Sequence, residues 1–383
     1  MAESKPRSAT AASTTRSSSS LLHGLLLLVV TPVAIAVLLY RLDDFDPAPL
    51  PIQRLPSMVV PKLNGRMLQG SEILGHGLLP GPEDLAYDAE SGVIYTGCAD
   101  GWIKRVKVTE SAADATVENW VHVGGRPLGL VLGLDNQLLV ADAEKGLLKV
   151  TKEGVVDLLT DEAEGLKFRI TDGLDVANDG IIYFTDASYK YSLAEHTRDI
   201  LEGRPHGRLM SFDPSINQTE VLVRDLYFAN GVAVAPDQSF VVFCETVMRR
   251  CRRYYIQGQR KGTVENFIDN LPGLPDNIRY DGEGHYWIAL VTAVTPYWDV
   301  ASRYPFVRKG LGILDKYVGR PHVERDGGVL AVDLEGKPVA HYYDPALSML
   351  TTGIKIGKHL YCGSVLKPYI MRLNLAQYPA LTP

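Results

Sequence analysis

The chain has only four cysteines, Cys98, Cys244, Cys251 and Cys362, among its 383 residues. That is too few for a disulfide-built scaffold. Cys244 and Cys251 are spaced to meet across a hairpin, and buried free thiols are the other reading. The net charge is −6, and nothing in the charge pattern resembles the footprint of a nucleic-acid-binding protein. No second composition regime appears after residue 80. Helical periodicity is also missing there, since apolar residues alternate two by two between Gly-led turns. With 46% apolar residues the chain can still build a sizeable core, as one large all-β domain.

The N-terminus is different. Residues 1–20 are rich in Ser, Ala and Thr, with Lys5, Arg7 and Arg16 against one acid, Glu3. Residues 21–40 carry no charge apart from what His23 holds, and they match the roughly 20 residues a hydrocarbon core requires. Pro32 is tolerable in such a helix. Basic residues precede this segment and Asp43, Asp44 and Asp46 follow it, so the positive-inside rule leaves residues 1–20 cytosolic and sends the rest to the lumen. A cleaved signal peptide is the rival, because Ala34-Ile35-Ala36 has the form of a cleavage site. Both readings deliver the globular part to a lumen or the exterior. Residues 41–61 are Pro-rich and read as an extended linker, which leaves 62–383 for the folded domain. Asn217-Gln218-Thr219 is a glycosylation acceptor in an expected turn.

From Glu83 onward one pattern recurs six times: a polar start, an alternating strand, a tight turn, an apolar strand, a kink and a third strand. The middle strands are centred on Val93–Thr96, Leu138–Asp142, Ile181–Asp186, Ser239–Phe243, His285–Ala289 and His359–Gly363. Repeats of roughly 45 residues, each of three or four strands, predict a six-bladed β-propeller behind an N-terminal transmembrane helix. No blade buries both faces alone, so the ring must close. The segment Met67–Leu74 is expected to supply the last blade's outer strand.

The blades' first strands begin where the central channel opens, and four of them begin on polar residues: Glu83, Asp172, Asn230 and Asp276-Asn277. Each could cap its own turn. Together, in register, they are the hard-oxygen set that Ca²⁺ prefers. His122, on an alternating strand, and His285, after Gly284 in a turn, read as packing or surface residues.

At these residues a resemblance appears. Gly81-Pro82-Glu83-Asp84-Leu85, Phe228-Ala229-Asn230-Gly231-Val232 and Pro275-Asp276-Asn277-Ile278 are similar to the calcium-ligand segments of the paraoxonase and gluconolactonase superfamily. Tyr183–Ser188 and Gly207–Ser215 resemble strictosidine synthases and adipocyte plasma membrane-associated proteins. The resemblance covers about Gly81 to Asn374. It implies a six-bladed propeller, a Ca²⁺ site on Glu83, Asn230, Asp276 and Asn277 with Asp172, and Asp276 as catalytic base or nucleophile. Two positions depart from the pattern. Thr171 stands where the paraoxonases have an amide, so Asp172 must turn inward to replace it or the site weakens. Thr351 stands where strictosidine synthase has its catalytic glutamate, and a hydroxyl cannot act as base near neutral pH as a carboxylate can.

The function expected from these features is a lumenal, metal-dependent hydrolase of small-molecule esters or lactones, in the endoplasmic reticulum, vacuole or cell surface. The alternatives are a non-catalytic lumenal binding protein and a condensing enzyme of specialised metabolism, against which Thr351 counts. One insertion, residues 292–327, is far longer than a hairpin loop needs. Trp298, Phe306, Leu311, Ile313, Leu314 and Tyr317 make it apolar, while Arg303, Arg308, Lys309, Lys316 and Arg320 make it basic. It is expected to lie at a membrane interface or over the substrate as one or two broken helical turns, given Pro305, Gly310 and Gly312. A loop packed on the blade's own side is the alternative.

Overall fold

A computed structural model describes residues 17–52, 56, 58–319 and 323–383. Lys5, Arg7, Arg16 and Arg320 lie outside the described residues. Six antiparallel sheets follow one another along the chain, each ordered from an innermost strand outward. The inner strands are Leu85–Asp88, Pro127–Leu132, Thr171–Val176, Ala229–Val234, Gly273–Tyr280 and Leu350–Ile356. They define blades one to six of a β-propeller. Ser71–Leu74 pairs antiparallel with Ile370–Asn374 and completes blade six, so both ends of the ring meet in one sheet and leave no open edge between first and last blade. Blade five gains a fifth strand, Leu63–Asn64, parallel to Pro338–Asp344.

Apolar side chains fill the seams between blades. Ile278, Tyr286, Ile288 and Leu330 of blade five pack on Ala233, Val242 and the Cys244–Cys251 pair of blade four. Those cysteines are cross-strand partners, bonded as a disulfide with Cα atoms 4.0 Å apart. Cys98 and Cys362 are buried free thiols.

Around the channel the packing is backbone against backbone. A Cβ added at Gly129 would come within 2.2 Å of the Asp172 carbonyl oxygen, at Gly173 within 2.7 Å of that of Asn230, and at Gly231 within 2.6 Å of that of Asp276. Glycine at each position lets successive inner strands approach this closely. Blades two to six each break register near these residues, as between Thr171 and Leu174 or Ala229 and Val232. Such bulges bend a strand and re-aim its side chains. Here they accompany inward-pointing polar residues.

Beneath this ring the channel is plugged. The Arg279 guanidinium donates to Leu130 O at 3.1 Å, Leu174 O at 3.1 Å and Val232 O at 3.4 Å, and it pairs with the Asp84 carboxylate. Asp84 also accepts from Leu130 N at 2.9 Å and from the Thr352 hydroxyl at 2.8 Å. One ion pair thus ties all six blades together.

Among the described residues four α-helices lie outside the sheets. α1, Ser17–Leu42, leaves Leu26 through Leu38 largely uncovered, with Leu28 76% exposed. Among the described residues no helix is long and apolar enough to cross a membrane. The described side chains of α1 begin only at Gly24, partway into the apolar segment. α2, His196–Glu202, is an insertion in blade three; α3, Pro296–Arg303, and α4, Pro305–Tyr317, are the insertion in blade five. The expected broken turns are therefore two formed helices, of 8 and 13 residues. Prolines sit in their first turns, where no N–H is missed. Thr295 caps α3 by accepting from Trp298 N. Gly312 is the point at which Phe45 lies against α4, 2.5 Å from where a Cβ would be. Tertiary contact outweighs glycine's poor propensity.

Residues 43–50 do not stand clear of the propeller. The buried Phe45 and the half-buried Leu50 pack against α4 and the upper core, and Ala48 N donates to Glu202 O at 2.8 Å.

Candidate metal centre and cavity

Glu83, Asp172 and Asp276 each bring a carboxylate oxygen within 4.8 Å of the others. They reach this point from three blades. Glu83 ends the loop before Leu85–Asp88, Asp172 is the second residue of its strand, and Asp276 lies in Gly273–Tyr280. All three are buried, with exposures of 3%, 4% and 8%. Asp172 has turned inward, one of the two outcomes that Thr171 left open. The Thr171 hydroxyl is itself buried without a partner.

Two amides join the carboxylates. The Asn277 amide donates to Glu83 Oε1 at 2.9 Å, and the Asn230 side chain hydrogen-bonds Asp276. Each amide thereby keeps its carbonyl oxygen free. Glu83 Oε2, Asn230 Oδ1 and Asn277 Oδ1 are buried with no hydrogen-bond partner. Buried oxygens are rarely left unmatched without reason, and here three of them belong to one ring of hard donors. Five residues offering only oxygen, three of them anionic, fit a calcium ion and suit a soft metal poorly. The site can hold a hard divalent cation.

Electrostatics agree. Burial, then the Asp276 and Asp172 charges, pushes the Glu83 carboxyl well above its usual range. Burial, then Asp84 and Asp186, pushes Asp172 up to about 8. Burial and Asp172 likewise raise Asp276. Without a cation the folded protein therefore holds protons that the unfolded chain, with ordinary carboxylates, releases near pH 4. Stability contributed by these groups is present below that value and is lost as pH rises towards 8. A cation relieves the repulsion and displaces the protons. Calcium should accordingly raise the melting temperature little at pH 5 and progressively more up to pH 8, read by thermal denaturation with and without chelator. A calcium effect independent of pH would contradict this assignment.

Three residues that sequence reading passed over also shape the centre. Arg126 opens blade two. It is buried, donates to Gly81 O at 2.9 Å and Gly97 O at 3.3 Å, and opposes the upward shifts of Glu83 and Asp172. Asp84 and Arg279 form the floor. A buried-position arginine in an alternating strand was the available signal, though alternation does not distinguish the channel from the blade seam. Thr351, at 3% exposure, donates its hydroxyl to Glu83 O at 2.7 Å. It braces the loop that carries Glu83 and offers no base. His122 is exposed with its ring tilted against that of Trp102, and His285 faces Asp281 in its turn; neither is among the residues that form the ring.

Above the ring lies a cavity of about 160 Å³. Asp276 and Asn230 form its polar floor; Phe228, Leu274, Val291 and Met349 make walls, and Ile200 of α2, Trp298 of α3 and Leu311 of α4 close it over. α2, α3 and α4 are thus a cover on the channel mouth.

The fold and centre define a class: six-bladed propellers with an acidic, oxygen-only site on the axis. The chain matches the pattern of strictosidine synthase over residues 172–259 and that of the strictosidine synthase-like N-terminal region over 66–106. Protein STRICTOSIDINE SYNTHASE-LIKE 6 of Arabidopsis thaliana is 54% identical over 356 residues, 92% of this chain and 95% of the relative. The adipocyte plasma membrane-associated protein of Gallus gallus is 32% identical over 356 residues, 86% and 84% of the two chains. The chain belongs to the strictosidine synthase-like family. Its fold is shared by a gluconolactonase from Xanthomonas campestris, with a TM-score of 0.57 at 15% identity, covering 86% of this chain and 98% of that one. It is shared also by regucalcin, described as a calcium-binding protein, from Agrobacterium tumefaciens, with a TM-score of 0.54 at 17% identity over 83% and 95%.

Proposed function

We propose that this chain is a membrane-anchored, lumen-facing hydrolase of carboxylic esters or lactones that depends on calcium. The observation that carries the reading is one carboxyl group, Asp276, belonging both to the acidic ring and to the floor of an apolar cavity. The fold shared with a gluconolactonase and a calcium-binding regucalcin supports it. Glu83, Asp172, Asn230, Asp276 and Asn277 would hold the ion, which when bound supplies electrostatic stabilisation for the negative charge that develops on an attacked carbonyl oxygen.

The chain's own residues do the rest. The cavity walls exclude water around the acyl group and orient it over Asp276. Asp276 removes a proton from the incoming water as its oxygen bonds to the acyl carbon. The acyl carbon–oxygen bond breaks, and the departing oxygen takes a proton, giving an acid and an alcohol, or a hydroxy acid from a lactone. The Asn230 hydrogen bond favours the anionic form of Asp276 and opposes, without cancelling, the upward push of burial and of the Asp172 charge, so the cation would be needed to hold Asp276 as a proton acceptor. Thr351 offers no base for an amine–aldehyde condensation. A panel of aryl esters and lactones should be hydrolysed with calcium and spared with chelator. Product formation unaffected by chelator would contradict the metal-dependent reading, and no turnover of any member would contradict the hydrolase reading.

The anchor reading, with residues 1–20 cytosolic, 21–40 spanning, 41–61 linking and 62–383 lumenal, rests on the uncovered apolar surface of α1 and on the charges flanking it. The Cys244–Cys251 disulfide suits an oxidising lumen. Asn217 is exposed in the turn before Gln218–Leu226, as a glycan acceptor must be. The compartment is the endoplasmic reticulum, vacuole or cell surface. Alkaline carbonate should leave the protein in the membrane, and a C-terminal tag should resist protease in sealed microsomes; extraction as a soluble product beginning near Val37 would show cleavage instead.

A further inference from the structure

α4 has two apolar sides. One carries Leu311 into the cavity and Gly312 onto Phe45. The other is a stripe of Phe306, Gly310, Leu314 and Tyr317, spaced by four, four and three residues, as one helical face requires. Phe306 is 62% and Tyr317 55% exposed, and Val318 just beyond is 79% exposed. Gly310 is exposed as well, and Leu314 is 38% exposed.

What lies beside it is the end of α1. Asp43, the first residue after α1, accepts from Lys316 Nζ on its carboxylate and from Lys309 Nζ on its carbonyl oxygen, both at 2.9 Å. Lys309 Nζ also stands 5.2 Å from the centre of the Tyr40 ring. Five residues on, Ala48 accepts from the buried Arg308 guanidinium, which holds Leu201 O of α2 at 2.9 Å as well. The strap 43–50 thus clamps α4 and α2 at the level where α1 ends. Tyr40, Lys309, Lys316 and Tyr317 compose the amphipathic mixture of aromatic and cationic side chains that settles at a bilayer surface.

We infer that the outer stripe of α4 lies in the interface of the same bilayer that holds α1, so that the cavity mouth faces lipid. The substrate is then a membrane-dissolved amphiphile, with one ester or lactone group set beside an apolar chain. The cavity is lined mainly by apolar side chains, with Asp276 and Asn230 on its floor and a few polar residues, among them Thr197, Thr246 and Glu324, in its walls. Phe228, Leu274 and Leu311 offer an alkyl chain a contact that the hydroxyls of a sugar lactone cannot use. This inference rests on the anchored-hydrolase reading for the reacting group and the bilayer, but the docking of α4 can be tested without turnover.

The test uses the full chain in phosphatidylcholine nanodiscs. A nitroxide is placed at Phe306→Cys, at Tyr317→Cys and, as a control at the opposite end of blade two, at Leu134→Cys. Cys98 and Cys362 are buried and the other two cysteines are bonded, so the label reports the new thiol. Collisions with oxygen should exceed those with a water-soluble nickel chelate at 306 and 317, with the reverse at 134. Nickel dominance at all three sites would overturn the docking. Substrate class is read from Trp298, in the cavity wall, as the fluorescence lost in Trp298→Phe. A δ-lactone with a brominated long alkyl chain, delivered in the disc, should quench that component, and a short brominated lactone in water should quench it far less. Equal quenching by both, or none by the long chain, would overturn the amphiphile assignment. If labels and quenching behave as expected while the ester and lactone panel shows no turnover, the hydrolase reading fails and the membrane-facing cavity stands.

Discussion

Calcium should raise the melting temperature of the wild-type chain by several degrees and leave that of Asp276→Ala unchanged. At a calcium concentration a hundredfold above Kd, linkage gives about 2.7 kcal/mol of stabilisation, which is several degrees for a domain of this size. Asp276 supplies one of the three buried carboxyl groups that would face the ion. Without it the two remaining carboxylates must offset the desolvation of the ion alone, and one ligand is missing. Asp276→Asn separates folding from binding, since it keeps the side-chain shape. Its melting temperature in chelator should equal or exceed that of wild type, because burial and Asp172 already disfavour the Asp276 charge. Hydrolysis should fall by about 10²- to 10⁴-fold in both variants, the usual loss when a positioned base is removed. A full calcium shift in Asp276→Ala would remove this residue from the site.

Loss of the Arg279 charge should cost more stability than any substitution in the ring. Arg279→Met removes the partner of Asp84, which is fully buried, and strips three carbonyl oxygens on three blades of their donor. Breaking one side of a buried ion pair costs about 3–5 kcal/mol. Asp84→Asn in the same chain should restore a substantial part, since the uncompensated charge is then gone while the amide oxygen still accepts from Leu130 N and the amide N–H can donate to the Thr352 hydroxyl, which turns from donor to acceptor. Urea unfolding of the two single variants and the double variant closes the cycle. Simple additivity of the two losses would show that the pair does not lock the channel.

Much of this was legible because a propeller writes itself into the chain repeatedly. The middle strands of all six blades stand where alternation and turns placed them, and Ser71–Leu74 closes the ring within the segment expected to do so. The polar blade starts were legible for the same reason. Glu83, Asp172, Asn230 and Asp276 occupy equivalent positions, and equivalent positions in a ring converge. The glycine after Asp172 and after Asn230 is a further signal, for it marks where neighbouring backbones touch.

What was not legible depends on contacts made across long separations. Asp84 and Arg279 are 195 residues apart, and nothing local distinguishes them from other charged residues in alternating strands. α4 contains Gly310 and Gly312 and is helical because Phe45 and the strap hold it. The pairing of Cys244 with Cys251 was open until the register of their hairpin fixed them opposite each other.

The central claim is that five oxygen-bearing residues on the channel axis hold one calcium ion and present Asp276 to a substrate. Calorimetric titration of calcium into the chelator-treated full chain tests it most directly. One site per chain is predicted, with protons released on binding in the range where Asp172, near 8, still holds its own, and with the heat abolished in Asp276→Ala. Absence of a saturable heat in the wild type, or an unchanged isotherm in Asp276→Ala, would contradict it.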